Sequence, residues 1–302
     1  MSTDGPVTVA LAGTGRWGTN YLRTLAGMPD LQLVAVAEPE SARARAVLVD
    51  KALPVFTGLD ELLNDIRPAA VIIATPDSAH AKLALTGIAA GCDVLVEKPM
   101  ARCSSDAGSC AAAARQNRSI LMVGHTTLYH PAFAQLRDAL PSAGPVRFAH
   151  AERSSVGTRG TTPVWDLAAH DVAAALTLFG PVASIRASGE SSCVEYELNH
   201  ATGTVFTGTA RWTTAPALRR LTVTGSTFRL VCDETAGTTQ PLDQPLARLC
   251  RAFVTACRSR QQPVAGAFLG LEVVRCLEAM TTAVSTGDEV PVRSTVTQLV
   301  SS

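Results

Sequence analysis

The feature that most restricts this chain is an apolar run, Val7-Thr8-Val9-Ala10-Leu11-Ala12, that passes without a break into Gly13-Thr14-Gly15-Arg16-Trp17-Gly18. Gly-x-Gly-x-x-Gly alone is a weak signal. Placed between a strand and a helical stretch it becomes a specific one, because the geometry then has a purpose. Gly13 permits the tight turn, Gly15 has no side chain to block a pyrophosphate, and Gly18 allows close helix packing. The helix that follows presents free N–H groups and the positive end of its dipole to phosphate. A second strand, Leu31 to Ala37, ends at Glu38, 20 residues beyond Gly18. That is where a carboxylate accepts hydrogen bonds from an adenosine ribose diol and repels a 2′-phosphate. NAD is therefore expected over NADP, with Arg43 and Arg45 near enough to soften the preference.

Further apolar runs alternate with helical stretches. Ala69 to Ala74 ends in Thr75-Pro76, a helix runs from His80 to Ala90, and Val94-Leu95-Val96 ends in Glu97-Lys98-Pro99. A helix from Ser104 and a strand, Ile120 to Val123, follow. This alternation implies a doubly wound parallel sheet. The chain has only three lysines (Lys51, Lys82, Lys98) among its 26 basic residues. A lysine at the carboxyl end of a parallel strand lies where open α/β sheets bind ligands, although the stretch alone also fits a solvated Glu-Lys pair.

After Gly124 the pattern changes. His125 to Pro131 leads into a short helix, and Pro141 to Pro145 is a cluster of helix breakers. A strand then runs from Val146 to Glu152, ending at Arg153. A Gly/Ser/Thr-rich loop precedes Trp165-Asp166-Leu167-Ala168-Ala169-His170-Asp171, which opens an apolar helix. Strand-like runs with short connections follow, implying an antiparallel sheet, and two helices close the chain. The expected division is residues 1–122 for dinucleotide binding and 123–302 for substrate binding and self-association. The expected fold class is α/β, a Rossmann domain followed by an α/β domain with an open, mostly antiparallel sheet.

Composition removes other classes. The formal net charge is zero, so no long-range attraction favours nucleic acid or an anionic membrane. No apolar run reaches the roughly 18 residues of a spanning helix, and the polar start does not read as a signal peptide. The eight cysteines include no Cys-x-x-Cys pair and no zinc-type cluster with histidine. The expectation is a cytoplasmic protein with reduced thiols and no metal.

Asp166 and His170 are four apart on the expected helix and so share a face. A carboxylate can there orient an imidazole serving as general base. Spacing alone equally allows Asp166 as a helix cap and His170 as a core residue. His80 is open between a place beside the cofactor and the surface. His125, Tyr129 and His130 follow the crossover strand, where a cleft floor is expected, and Trp17 reads as packing against the cofactor.

Taken together, these residues resemble the glucose–fructose oxidoreductase/inositol dehydrogenase (Gfo/Idh/MocA) family. The resemblance rests on an ordered series: Gly13-x-Gly15-x-x-Gly18, Glu38, Ala74-Thr75-Pro76 with His80, Glu97-Lys98-Pro99, Gly124-His125, Trp165-Asp166-x-x-x-His170-Asp171, and the tail around Gly270-Leu271. It implies hydride transfer between NAD and a secondary alcohol or ketone of a sugar, nucleotide sugar or cyclitol, in a natural-product or polysaccharide setting. It implies Lys98 as donor to the reacting oxygen, His170 as base and Asp166 as its support. It implies a cofactor site of Gly13, Thr14, Gly15, Arg16, Trp17, Gly18, Glu38, Thr75, Pro76, His80, Glu97 and Lys98. His125, Tyr129, Arg153, Trp165 and Asp166 would line the substrate. The loop with Arg153 and Arg159 either meets a substrate phosphate or carboxylate or is simply solvated. A homodimer or homotetramer through the second sheet is implied too. Two other readings stand beside this one: NAD-dependent oxidation–elimination, as in glycoside hydrolysis, and a non-catalytic NAD-binding regulator. An intact Lys98, Asp166 and His170 argue against the regulator.

Overall fold

The computed structural model describes residues 5–50, 52–157, 160–235 and 243–293. The chain divides into two compact units, Met1–His125 with Leu242–Leu271, and Thr126–Pro241 with Glu272–Ser302. The sequence places one boundary near residue 123. The structure puts the first crossing at His125 and then returns the chain to the first unit. That return was not legible because an amphipathic helix does not announce which sheet it will cover.

In the first unit the strands are β1 (Val7–Ala12), β2 (Leu31–Ala37), β3 (Val55–Phe56), β4 (Ala70–Ile73), β5 (Asp93–Val96) and β6 (Leu121–Val123). They pair in parallel in the order β3-β2-β1-β4-β5-β6, the doubly wound arrangement of a dinucleotide fold. β4 and β5 are buried along their whole length, as unbroken apolar runs in a parallel sheet should be. The two-residue β3 is too short to leave a sequence signal. The helices are α1 (Arg16–Leu25), α2 (Ser41–Val47), α3 (Leu59–Ile66), α4 (His80–Ala89) and α5 (Ser104–Asn117). Because every strand runs the same way, the loops after β1, β2, β4, β5 and β6 all leave from one edge of the sheet.

The returning segment closes this unit. Helix α8 (Asp243–Ser259) buries Leu249, Cys250 and Phe253, and Arg260 just beyond it bonds Asp93 at 2.6 Å and the Arg118 carbonyl at 2.6 Å. The start of α9 (Ala267–Thr286) lies close to β6. A Cβ at Gly270 would come within 2.6 Å of the Val123 side chain.

The second unit has α6 (Pro131–Ala143), β7 (Val146–Val156), a π-helical turn (Val164–Ala168) and α7 (Ala169–Phe179). Strands β8 (Val182–Glu190), β9 (Cys193–His200), β10 (Val205–Thr213), β11 (Arg219–Gly225), β12 (Arg229–Asp233) and β13 (Val290–Pro291) complete it. The sheet order is β12-β11-β7-β10-β9-β8-β13, antiparallel except for β7 with β10. β9 and β10 alternate strictly between buried and more exposed positions. That alternation marks a sheet with one face on a core and one facing solvent.

Two boundaries differ from the sequence reading. Helix α6 continues through Pro141 to Ala143, since a proline this near the C-terminus removes only one late hydrogen bond. β7 continues past Arg153 to Val156, because Arg153, Ser154 and Ser155 are buried rather than the start of a solvated loop. Arg159 lies outside the described residues.

Candidate active site

The glycine loop after β1 is shaped by contacts that only glycine allows. Gly13 has φ +91°, and a Cβ there would lie 2.6 Å from the Ala74 carbonyl oxygen. A Cβ at Gly18 would lie 2.0 Å from the Gly13 oxygen, so helix α1 starts against its own loop. Gly15 is the opposite case. A Cβ there would meet nothing within 4 Å, and no side chain caps the N-terminus of α1. Open space over free helix N–H groups, with no acid in the first turn, is a cradle for a pyrophosphate. Arg16 is exposed beside it and Trp17 is half-buried.

Glu38 is buried at the end of β2. Its Oε2 accepts the Thr14 N–H at 2.9 Å and the Thr14 hydroxyl at 2.8 Å. Its Oε1 accepts from Arg43 at 2.5 Å and from the Glu40 N–H at 3.2 Å. Burial works to raise its pKa, but the Arg43 and Thr14 hydrogen bonds outweigh it and bring the carboxyl down to about 2. The acid is thus ionised at any physiological pH. Thr14, expected on the cofactor, is turned to Glu38 and holds that carboxylate in place. Of the two arginines, Arg43 is bonded to the acid, and Arg45 donates to the Leu53 carbonyl at 3.0 Å. These groups fit NAD: an open glycine loop, an uncapped helix end, and an ionised acid one strand away.

Thr75 and Pro76 follow β4, half-buried and exposed respectively. His80 is neither on the surface nor offered to a ligand. It is buried, with Nδ1 2.8 Å from the Pro99 carbonyl and Nε2 2.9 Å from the Thr75 carbonyl. Its ring therefore sits between the loop after β4 and the loop after β5; burial lowers its pKa, and the neutral ring donates its one N–H to one of the two carbonyls. The expectation of a cofactor contact through that ring gives way to a place between these loops.

Glu97 and Lys98 leave β5 buried, at 4% and 9% exposure, where a solvated ion pair would be open to water. The peptide bond from Lys98 to Pro99 is cis. Glu97 Oε1 accepts the Tyr21 hydroxyl at 2.9 Å, and Oε2 accepts the Lys98 backbone N–H at 3.2 Å. Gly124 lies against the same carboxylate, since a Cβ there would be 2.8 Å from Oε1. This contact gives Gly124-His125 its first residue. His125 is fully buried, and neither ring nitrogen has a hydrogen-bond partner in the described structure. Burial, with Lys98 nearby, drives its pKa down to about 3, so the ring is neutral.

In the second unit Asp166 lies in the π-turn and His170 in the first turn of α7, both half-buried. A π-turn inside a helix often marks a functional site. Trp165 donates its indole N–H to Thr281 Oγ1 at 3.2 Å, and Tyr129 is half-buried. Asp171 is buried and anchors the helix start. It accepts Arg153 Nε at 2.7 Å and the Tyr196 hydroxyl at 2.9 Å. Arg153 also donates to Glu234 at 3.1 Å. Arg153 is therefore not a loop cation awaiting a substrate anion. Its guanidinium is 7% exposed and is held between two carboxylates. Glycine at 208 makes room for this network, because a Cβ there would fall 2.3 Å from the Tyr196 hydroxyl.

Sequence reasoning missed Tyr21, Tyr196 and Glu234. Tyr21 carried a signal, a phenol on the buried face of an amphipathic helix, which needs a polar partner. Tyr196 had the strand alternation that turns it inward. Glu234 had none.

Comparison with known proteins agrees with this fold. Residues 7–125 match the family model described as an oxidoreductase family with an NAD-binding Rossmann fold, GFO_IDH_MocA. A putative oxidoreductase from Magnetospirillum magnetotacticum MS-1 is 33% identical, with TM-score 0.80, covering 91% of this chain and 99% of that one. Inositol 2-dehydrogenase 1 of Saccharopolyspora erythraea is 32% identical over 138 residues, 44% of this chain and 41% of that protein. UDP-N-acetylglucosamine 3-dehydrogenase of Acidithiobacillus ferrooxidans is 30% identical over 188 residues, 61% of this chain and 58% of that protein. The matches thus span about half the length of these two relatives. Built on a parallel sheet whose one edge carries an open glycine loop, an ionised Glu38 and a buried Glu97-Lys98, the chain belongs to the Gfo/Idh/MocA family of oxidoreductases with an NAD-binding Rossmann fold.

Proposed function

We propose that this protein is an NAD-dependent oxidoreductase acting on a secondary alcohol or ketone of a cyclitol, sugar or nucleotide sugar. The observation that carries the reading is the common edge of the first sheet. There the phosphate cradle, the ribose acid and a buried lysine all follow from parallel strand ends. The relatives named for inositol and for UDP-N-acetylglucosamine support the polyol character of the substrate. A biosynthetic role in natural-product or polysaccharide assembly is a finer reading of the same kind.

Bound NAD supplies the hydride acceptor, or its reduced form the donor. The chain's own groups handle charge and protons. The Gly13–Gly18 loop and the N-terminus of α1 receive the pyrophosphate, with Arg16 and Trp17 beside it, and Glu38 takes the ribose hydroxyls. Thr75, Pro76 and Glu97 border the nicotinamide half. Lys98 donates to the reacting oxygen and stabilises the alkoxide that develops as hydride leaves its carbon. His170 takes the hydroxyl proton, and Asp166, on the preceding turn, supports the imidazolium that results. His125, Tyr129 and Trp165 contact the polyol.

The test is NADH absorbance with myo-inositol, scyllo-inositol and UDP-N-acetylglucosamine, comparing the parent with Lys98→Ala and His170→Ala. Each variant should lose roughly 100-fold or more in kcat while NAD still binds. Undiminished turnover in both would sink the assignment.

A further inference from the structure

We infer that Tyr21 is a positioning residue for Lys98, acting through Glu97. This deepens the proposed function and rests on its assignment of Lys98 as donor to the reacting oxygen.

Helix α1 has two jobs a short distance apart. Its N-terminus forms the open phosphate cradle, and Tyr21, in its second turn, points into the core with no exposed surface. The phenol donates to Glu97 Oε1 across 76 residues of sequence. Burial raises the Tyr21 pKa well above its ordinary value, and the Glu97 charge raises it further, so the hydroxyl keeps its proton and remains a donor. The other carboxylate oxygen accepts the Lys98 backbone N–H, and Gly124 lies against the carboxylate, where a Cβ would be 2.8 Å from Oε1. Glu97 is thus fixed from three directions, by α1, by the chain of Lys98 itself, and by the turn after β6. His80 senses Lys98, and burial lowers its pKa; two further titratable groups at this spot are Cys250 of α8, which senses Glu97, and His125, which senses Lys98. Neither is charged near neutral pH, because burial holds the thiol at about 12 and the imidazole at about 3.

A buried carboxylate that loses a donor holds its negative charge less firmly. With Phe at position 21 the ring still fills its space, but Glu97 Oε1 is left facing a hydrocarbon edge. The carboxylate also loses the contact that ties the lysine-bearing turn to the cofactor helix. The step affected is alkoxide stabilisation by Lys98, and not the affinity of the cradle.

The experiment compares the parent, Tyr21→Phe, Gly124→Ala and Lys98→Ala, with myo-inositol and UDP-N-acetylglucosamine as probes. It records kcat and KM from pH 5 to 10, NAD affinity by calorimetry, and melting temperature. Tyr21→Phe should lower kcat roughly 10- to 100-fold, the factor a buried charge-assisted hydrogen bond supports. KM and NAD affinity should stay within about twofold, so that the loss falls on kcat alone. Gly124→Ala crowds the same carboxylate oxygen and should reproduce the kcat loss, which keeps the test valid if Tyr21→Phe folds poorly. A merely structural Tyr21 would lower melting temperature, NAD affinity and kcat together, and that result overturns the inference. If Lys98→Ala is inactive but Tyr21→Phe and Gly124→Ala match the parent, the inference fails and the proposed function stands. If Lys98→Ala keeps full turnover, or the parent oxidises neither probe, that reading fails and takes the inference with it.

Discussion

Replacing Arg153 by Met should destabilise the second unit strongly at alkaline pH and much less in acid. Arg153 is 7% exposed and lies between Asp171 at 2.7 Å and Glu234 at 3.1 Å. Burial works to lower its pKa, yet the two carboxylates raise it, so the guanidinium is permanently charged. Burial raises the Asp171 pKa even against Arg153 and the Tyr196 hydroxyl. Burial also pushes Glu234 upward, but the Arg153 charge outweighs it and the net displacement is downward. Methionine matches much of the side-chain volume but removes the cation held between the two buried carboxylates, leaving Glu234 with the weaker influence of Arg219 and His130. Breaking a buried pair on one side costs about 3–5 kcal/mol, and here one cation serves two acids. The melting temperature should fall by roughly 6–20 °C, at the 2–4 °C per kcal/mol typical of larger domains. The sign of the pH effect follows from linkage. In the variant both folded-state pKa values rise relative to the parent, because the cation that lowers them is gone, so the folded state binds protons more tightly than the parent's does. Stability relative to the parent is therefore regained as pH falls and lost as pH rises, at up to about 1.4 kcal/mol per pH unit for each acid. Urea unfolding at pH 8, 6.5 and 5 measures this. Adding Asp171→Asn and Glu234→Gln to Arg153→Met should recover most of the loss at pH 8. A variant within about 1 kcal/mol of the parent and flat in pH would refute the reasoning, and would return Arg153 to the candidates for substrate contact.

Two other outcomes follow from the first unit. Glu38→Ser removes the ionised acceptor and frees Arg43, so NAD affinity should fall roughly 10- to 100-fold while NADP affinity improves; calorimetry with both nucleotides reads this, and an unchanged preference counts against Glu38 as the ribose ligand. His125 is held near a pKa of about 3 by burial and by Lys98, whereas the unfolded imidazole titrates near 6.5, so its contribution is fully present above pH 6.5 and is lost as pH falls toward 3. His125→Leu should flatten the fall in unfolding free energy between pH 6.5 and 4.5 by about 2 kcal/mol, and identical pH slopes for variant and parent would contradict the burial.

What the sequence showed and what it hid divide along chain separation. Gly13-x-Gly15-x-x-Gly18, Glu38 and Glu97-Lys98-Pro99 are readable because each is a strand end together with the few residues after it. Parallel pairing then places them on one edge of the sheet. The side chains that hold those residues are not readable in the same way. Tyr21 meets Glu97 across 76 positions, and Arg153 meets Glu234 across 81. No local pattern encodes such a pair, since an arginine after a strand looks the same whether solvent or two carboxylates await it. His80 shows the ambiguity within a motif. Its position beside Thr75-Pro76 is local information, but the second acceptor, the Pro99 carbonyl, comes from the next αβ unit.

This division also says which positions should tolerate change. A group that meets the cofactor is constrained by the ligand, which is the same in every protein that binds it. A group such as Tyr21 is constrained only to supply a donor of the right reach to a buried carboxylate, and more than one side chain and helix setting can do that. The same holds for Arg153, where neutralising its two acids by amide substitution removes the need for the cation. Gly124 sits between these cases. It touches no ligand in this account, yet a Cβ would lie 2.8 Å from the carboxylate beside Lys98. Sterics hold glycine there less firmly than at Gly18, where a Cβ would lie 2.0 Å from the backbone oxygen of Gly13, because the Glu97 side chain has some room to give. If Glu97 is held as the geometry shows, Gly124→Ala should be tolerated only when Glu97 is shortened as well. A Glu97→Asp change that restores folding stability to Gly124→Ala, without restoring turnover, would separate the space Glu97 occupies from the charge it places beside Lys98.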